Sequence, residues 1–405
     1  MLNLEDRLPH RKAKVVLDRI LRQGIVSKLE LIDHSQMTVS TITRVLEEMV
    51  DLGIISEAGL GESTGGRKPI LYQVNASYGV VFGLEISRIY SHLFMFDFGL
   101  NKLDMRHWVM TSDMTPEVMI GEVIAAMREM MSKHGIPYAK LIGIGIGAVG
   151  PLDRHNGIIL EPLYFPAPGW NNVPIQSIFE VEFDVPVLLE NGANAAVYGE
   201  YWSERSKSFE HLLYIHAGAG LRTAMISNGQ IVYGAVDMEG TVGQMIIQTD
   251  GIKPRESRGN YGALESYVTP YALEERAQSL LKQGRASVVR NLAADPESVQ
   301  FSHLVQALEM QDPLAIELFT QAATYFGIGL ANLINILHPE KVILGGPLIS
   351  SHPLIFRVAT EVAVKKTGNT NTYSYNILFS RGNLGNEALG TGAAAMVLSR
   401  LTSGM

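Results

Sequence analysis

The sequence predicts an α/β protein: a small helical head with a hairpin over residues 1–76, followed by a longer body in which strands and helices alternate. Three observations carry this. Basic charge gathers near the start of the chain, short amphipathic helices lead into a glycine-rich hairpin, and from Tyr78 onward apolar strand-length runs end in glycine. At 405 residues, with 46% hydrophobic and 18% charged content, the chain is long enough for two or three buried cores. It has no cysteine, which excludes disulfides and thiolate-held metal. The opening MLNLEDRLPHRKAKVVLDRI is charged from its fifth residue and lacks the apolar core and small-residue cleavage site of a secretion signal. No apolar run approaches the length of a membrane span, so a cytoplasmic location and no membrane partner are expected.

The formal net charge is −8, yet from Arg7 to Lys28 seven bases (Arg7, Arg11, Lys12, Lys14, Arg19, Arg22, Lys28) meet one acid, Asp18. A local patch is all that phosphate contacts need, so a DNA-binding head on an acidic body fits this division. A solvated helix face is the alternative, and the count over Met1 to Asn75, ten bases against ten acids, keeps it open.

Within the head, Val15, Val16, Ile20 and Leu21 share one face of a helix over Lys12 to Leu21, which Gly24 ends. Ser27 and Glu30 have capping-box spacing and open a short helix through Leu29, Leu31 and Ile32. A third helix places Val39, Ile42, Leu46, Met49 and Val50 at helical spacing, with Thr38, Ser40, Thr41, Thr43 and Arg44 on the outer face of its first half. Small hydroxyls and an arginine there can reach phosphates and base edges in a major groove, as in a helix-turn-helix. Two β-prone runs, Ile54 to Ser56 and Ile70 to Val74, flank a glycine-rich tip carrying Arg67 and Lys68, cations that suit an adjacent minor groove. The head is therefore expected to be a winged helix-turn-helix, with a dimerisation module bearing a mobile loop as the alternative.

In the body, GVVFGLEI, HLFMFDF, LIGIGIGAVG, VPVLL, HLLYIHAGAG and KVILGG read as buried strands. PEVMIGEVIAAMREMMSKHG and FTQAATYFGIGLANLINILHP read as helices between them. Glycines at strand ends mark the usual ligand crevice of such folds.

Seven blocks then carry a specific resemblance: GIGIGAVGPLD (Gly143 to Asp153), PGW (Pro168 to Trp170), ENGANAAVYGE (Glu190 to Glu200), HAGAGLRTAMISNGQIVYG, EGTVGQM (Glu239 to Met245), RGNYGALE (Arg258 to Glu265) and ANLINILHPEKVILGG. In this order they resemble the ROK family of sugar kinases and repressors, and the head resembles its repressor branch. The resemblance implies a two-lobed, actin-like (ribonuclease-H-like) body. Its first lobe would span 77–190, completed by a C-terminal helix over 385–405. A second lobe over 191–384 would hold the dimerisation surface and close the effector cleft.

The departures from that family are chemical. Where its kinases place an aspartate as base, this chain has Gly192 after Asn191, and a glycine cannot take a proton. The phosphate loops carry Glu85 and Ser87, and Arg222 and Ala224, where the kinases have aspartate and glycines. Arg222 could accept an anion or pair with a neighbouring acid. The family's zinc ligands match Gln244, Glu256, Arg258 and Ala263, so no metal and no cofactor are expected.

Of the sugar pocket, the resemblance keeps Asn191 and Glu265, while Thr241 and Gln244 replace a glutamate and a histidine. Each charged acceptor lost removes about 1.5–3 kcal/mol from a bound sugar, although Gln244 can still donate and accept. Glu265 also reads as a carboxylate favoured by a helix N-terminus, and Trp170 reads as lobe packing rather than a sugar platform.

The expected protein is a non-enzymatic repressor of carbohydrate-utilisation genes, a pseudokinase body gated by a sugar or sugar phosphate. A homodimer, with tetramers left open, would set two heads on double-stranded operator DNA. A constitutive or protein-gated DNA binder is the alternative, and a sugar kinase with an added head is the third reading.

Overall fold

In the computed structural model, residues 11–35, 37–62, 68–204, 209–235, 241–254, 259–367 and 377–402 are described. The chain divides into two compact units: Met1–Ser208 together with Glu387–Met405, and Phe209–Asn386. Residues 191–208, which the sequence boundaries assign to the second lobe, thus stay with the first unit.

The head opens with α1 (Arg11–Gln23), which buries Ala13, Val16, Leu17, Ile20 and Leu21. Leu17 occupies the inner face instead of Val15, which is 45% exposed, because the stripe runs in steps of three and four from Ala13. Gly24 adopts φ +84°, and its N–H closes the helix on the Ile20 carbonyl at 2.8 Å. The capping box forms as expected: Ser27 N–H donates to Glu30 Oε2 at 2.6 Å, and Glu30 N–H to Ser27 Oγ at 3.3 Å. It opens α2 (Lys28–Ser35). The third helix, α3 (Val39–Asp51), is capped by Thr38 and buries Ile42, Val45, Leu46 and Met49. Val39 and Val50, expected inside, lie outside this stripe at 57% and 36% exposure.

Strands β1 (Ile25–Ser27), β2 (Ile55–Leu60) and β3 (Ile70–Val74) form an antiparallel sheet in the order β1-β3-β2. The hairpin was legible; β1, three residues long, carries no pattern of its own.

The first unit continues with an antiparallel meander, β4 (Val80–Ile86), β5 (Tyr90–Asp97) and β6 (Lys102–Val109), then α4 (Pro116–Lys133) and β7 (Leu141–Ala148), parallel to β4. After the short ribbon β8 (Leu152–Asp153) and β9 (Ile158–Ile159) come α5 (Ile175–Phe183), β10 (Val187–Asn191), parallel to β7, and α6 (Gly192–Ser203). Trp170 is 2% exposed, donates to the Met114 carbonyl at 3.0 Å and lies 4.9 Å from the Phe165 ring, so it packs the lobe.

The second unit repeats the plan. Its strands β11 (Leu212–Ala217), β12 (Leu221–Ser227) and β13 (Gln230–Ile231) are antiparallel, and helices α7 (Pro270–Lys282), α8 (Val289–Leu292), α9 (Phe301–Glu309) and α10 (Pro313–Leu337) follow. Then come β14 (Lys341–Gly345), α11 (Pro347–Ser351), α12 (Pro353–Thr367) and β15 (Leu378–Ser380). Its sheet order β13-β12-β11-β14-β15 matches β6-β5-β4-β7-β10 of the first strand for strand. Contrary to the sequence reading, α10 is long and apolar enough to cross a membrane. It is nonetheless a core helix, with 61% of its apolar stretch buried and Leu318, Phe319, Phe326 and Leu330 in the unit's central cluster.

The chain then returns to the first unit as α13 (Ala388–Thr402), laid along α6 and across β4 and β7. The backbones meet at glycines: a Cβ at Gly392 would lie 1.7 Å from the Ala195 carbonyl oxygen, and one at Gly145 2.0 Å from that of Ala393. This helix pair also seats the head, since Thr402 Oγ1 lies 3.2 Å from Asp18 Oδ1 on α1, and Asp18 pairs with Arg22 at 2.8 Å. Tyr198 of α6 is buried beside Arg22 and hydrogen-bonds Ser399 of α13.

Candidate functional site

On the head, the cap at α3 organises the expected hydroxyl cluster. Thr38 Oγ1 accepts the Thr41 N–H at 3.3 Å and lies 3.1 Å from Ser40 Oγ and 2.9 Å from Thr41 Oγ1. Thr43 turns its hydroxyl back to the Val39 carbonyl at 2.7 Å, so that hydroxyl is engaged within the helix. Thr38, Ser40 and Arg44 are exposed and Thr41 and Thr43 half-buried, so one side of the helix start presents three hydroxyls and a guanidinium. Lys68, just before β3 of the hairpin, is exposed; Arg67 lies outside the described residues.

In the first unit, the strand-to-helix corner at β10 is a closed polar knot. Asn191 is the N-cap of α6, its Oδ1 accepting the Asn194 N–H at 2.8 Å. Glu190, 7% exposed, accepts from Asn191 N–H at 2.9 Å and Asn194 Nδ2 at 3.0 Å on one oxygen, and faces Arg154 at 3.5 Å on the other. Nothing in the pattern singles out Glu190 or Asn194 beforehand, except that an acid ends an otherwise apolar strand and needs partners once buried. A Cβ at Gly192 would lie 2.9 Å from Leu389 Cδ1 and 3.7 Å from the Ala148 carbonyl oxygen, so a larger residue here requires Leu389 to move. At the β4 end, Glu85 is engaged by His92, with Nδ1 2.8 Å from Oε2, and Ser87 N–H donates to Ser91 Oγ at 3.4 Å. In the second unit Arg222 stands opposite His216 in the β11–β12 pair.

Also in the second unit, Gln244 and Glu265 come together as expected. Gln244 ends the short 3-10 turn Thr241–Gln244, and its Nε2 donates to Glu265 Oε1. Its Oε1 accepts the Asn260 N–H at 2.9 Å, and its backbone carbonyl accepts Asn260 Nδ2 at 3.0 Å. Glu265 lies in the single-turn 3-10 segment Leu264–Ser266, too short to supply the helix dipole of the alternative reading.

The residues present do not fit the zinc that the family resemblance implies. Ala263 is fully buried and offers no donor, and both ends of the Gln244 amide are engaged. Glu256 and Arg258 lie outside the described residues, among which no cluster of three or more metal-ligating side chains forms.

A model of the ROK family matches residues 81–400, which covers both α/β units and leaves the head in front. The chain belongs to the ROK family. Among ROK relatives, the xylose repressor of Caldicellulosiruptor bescii is 28% identical over 391 residues, covering 96% of this chain and 96% of its own. The glucokinase of Thermotoga maritima is 27% identical over 285 residues, 70% of this chain and 86% of its own. A solved ROK family transcriptional regulator, a homologue of the Escherichia coli MLC protein, superposes with TM-score 0.78 at 19% identity, covering 97% of this chain and 96% of that one. The actin-like ROK body is thereby the fold of both units.

Proposed function

We propose that the head is a winged helix-turn-helix and that the protein is a sugar-responsive transcriptional repressor of carbohydrate-utilisation genes. The observation that carries this is where the likenesses end: the match to the xylose repressor runs along 96% of this chain, head included, whereas the match to the glucokinase takes in 70%. The exposed start of α3, with Ser40, Thr41 and Arg44, would enter the major groove, and the wing bearing Arg67 and Lys68 the neighbouring minor groove. A homodimer would set two such heads on a two-fold symmetric operator. The effector is a sugar or sugar phosphate, and each unit carries its own proposed sugar contact: Asn191 in the first, and in the second Glu265, held by Gln244.

No kinase activity is proposed. Gly192 cannot act as base, and Glu85 at the first phosphate loop is occupied by His92. The ligand signal has a short path to DNA: Asn191 caps α6, whose twelve residues span about 18 Å, and buried Tyr198 on that helix feels the charge of Arg22 on α1. A ligand that shifts α6 therefore shifts the seat of the head, provided it distinguishes the two arrangements.

The test is selection of bound duplexes from a random pool, followed by fluorescence anisotropy with D-xylose, D-glucose, N-acetylglucosamine and their phosphates. A single palindromic sequence should emerge, and one sugar should change its affinity tenfold or more. Arg44→Ala should weaken that affinity by about 1–3 kcal/mol. Enrichment of no sequence, with sugar-dependent ATP turnover, would replace this reading with a kinase.

A further inference from the structure

We propose that two side-chain amides, Gln244 and Gln248, tie residues 244–252 to residues 259–267 without a metal, and that Gln244 is the positioning residue for Glu265. The second half rests on the functional reading above; the first does not.

Gln244 ties together residues 16 and 21 positions further along the chain, Asn260 and Glu265. A carboxamide suits this place because it offers opposite polarities a short distance apart. Asn260 N–H can only donate and a carboxylate can only accept, so the partners themselves fix which end of the amide faces which. The nitrogen turned toward Glu265 has no lone pair for a metal, and the oxygen is already taken. At Gly243 a Cβ would lie 2.5 Å from Glu265 Oε2, so the carboxylate rests directly on this backbone.

Four residues along, Gln248 makes the second closure. Its Oε1 accepts from Tyr267 OH at 2.9 Å, its Nε2 donates to Tyr325 OH at 2.8 Å, and Tyr267 OH in turn accepts the Ile252 N–H at 2.8 Å. The two tyrosine rings lie 4.5 Å apart, which anchors the loop to α10. Backbone bonds run between the closures, Ile247 N–H to Gly262 O at 2.9 Å and Leu264 N–H to Met245 O at 2.8 Å. Gly262, at φ +67°, brings its Cα so near the Gln248 carbonyl that a Cβ would lie 1.7 Å from the oxygen. Both amides thus act on two stretches, 244–252 and 259–267, whose backbones already meet, and they do so where a metal would otherwise have to gather the chain.

The test is amide hydrogen exchange on the full-length protein, with and without EDTA and 1,10-phenanthroline, alongside metal analysis and calorimetric titration with D-xylose and D-glucose. Wild-type protection at Asn260 and Ile252 should not change with chelator. Gln244→Ala should speed exchange at Asn260 about tenfold and leave Ile252 alone, and Gln248→Ala should do the reverse.

Gln244→Glu separates the two roles of Gln244. It keeps the acceptor for Asn260 and so keeps protection, but sets a second carboxylate against Glu265, so sugar affinity should fall tenfold or more at neutral pH. That affinity should return as acid supplies the pair with one shared proton. Stoichiometric zinc, or exchange that chelators accelerate, would overturn the metal-free closure. Wild-type sugar affinity in Gln244→Glu at neutral pH would overturn the positioning role. A wild type that binds neither sugar would take the positioning role down with the functional reading, while the exchange pattern would still decide the closure.

Discussion

The first unit and the second share one strand order, yet each fixes the acid beside its expected sugar contact differently. Glu190, 7% exposed, sits at a strand end where backbone and two neighbouring side chains fill its lone pairs, beneath a helix pair whose backbones nearly touch. Glu265, half-buried, sits in a single 3-10 turn and is steadied by an amide on a loop that reaches solvent. Identical topology therefore does not distribute rigidity evenly: the first corner is set by close packing, the second by side-chain hydrogen bonds worth about 1 kcal/mol each.

The contrast breaks most severely if the packing is attacked. Gly392→Val places branches against the Ala195 carbonyl, which belongs to helix backbone and cannot yield, so it should cost more than about 4 kcal/mol and leave little folded protein by circular dichroism. Glu190→Ala leaves Asn194 and Arg154 without their carboxylate and should lower stability by about 3 kcal/mol in denaturant melts.

A third test uses pH. Burial raises the Tyr198 phenol above its ordinary value of 10.0, against the opposing pull of Arg22 and Ser399. Folded protein thus keeps this proton longer than unfolded chain does. Its contribution is whole below about pH 10 and declines above it, at up to about 1.4 kcal/mol per pH unit. Tyr198→Phe should flatten that alkaline decline. The smallest effect belongs to the exposed amide: Gln248→Ala should cost about 1 kcal/mol, seen as a slightly lower melting midpoint.

Most of the architecture was legible because buried parallel strands are apolar end to end and helix caps have local signatures. LIGIGIGA is β7 and Ser27 to Glu30 is a capping box, as the residues imply. Helix faces were less secure. Val15, Val39 and Val50 fit an apolar stripe as well as their buried neighbours do, and only tertiary packing chooses between stripes offset by one residue.

In the second unit's loop, the pattern at Gln244, Arg258 and Ala263 said which ligands were lost. It could not say what replaced them, since Tyr325 is 77 residues from Gln248 and no local spacing joins them. The pairing of Gln244 with Glu265 was legible only through the family's pocket, and Glu190 only as an acid ending an apolar strand.

The return of the chain to its first unit at α13 has a consequence for synthesis. Residues 209–386 form a continuous unit and can fold as they leave the ribosome. The head and the first sheet emerge earlier, but their seat is incomplete until Ala388–Thr402 has been translated after that unit. A nascent or truncated chain ending before Ala388 would therefore carry α1 without the partner that Thr402 supplies to Asp18. Translation order would keep a half-made regulator from presenting its head in the working arrangement.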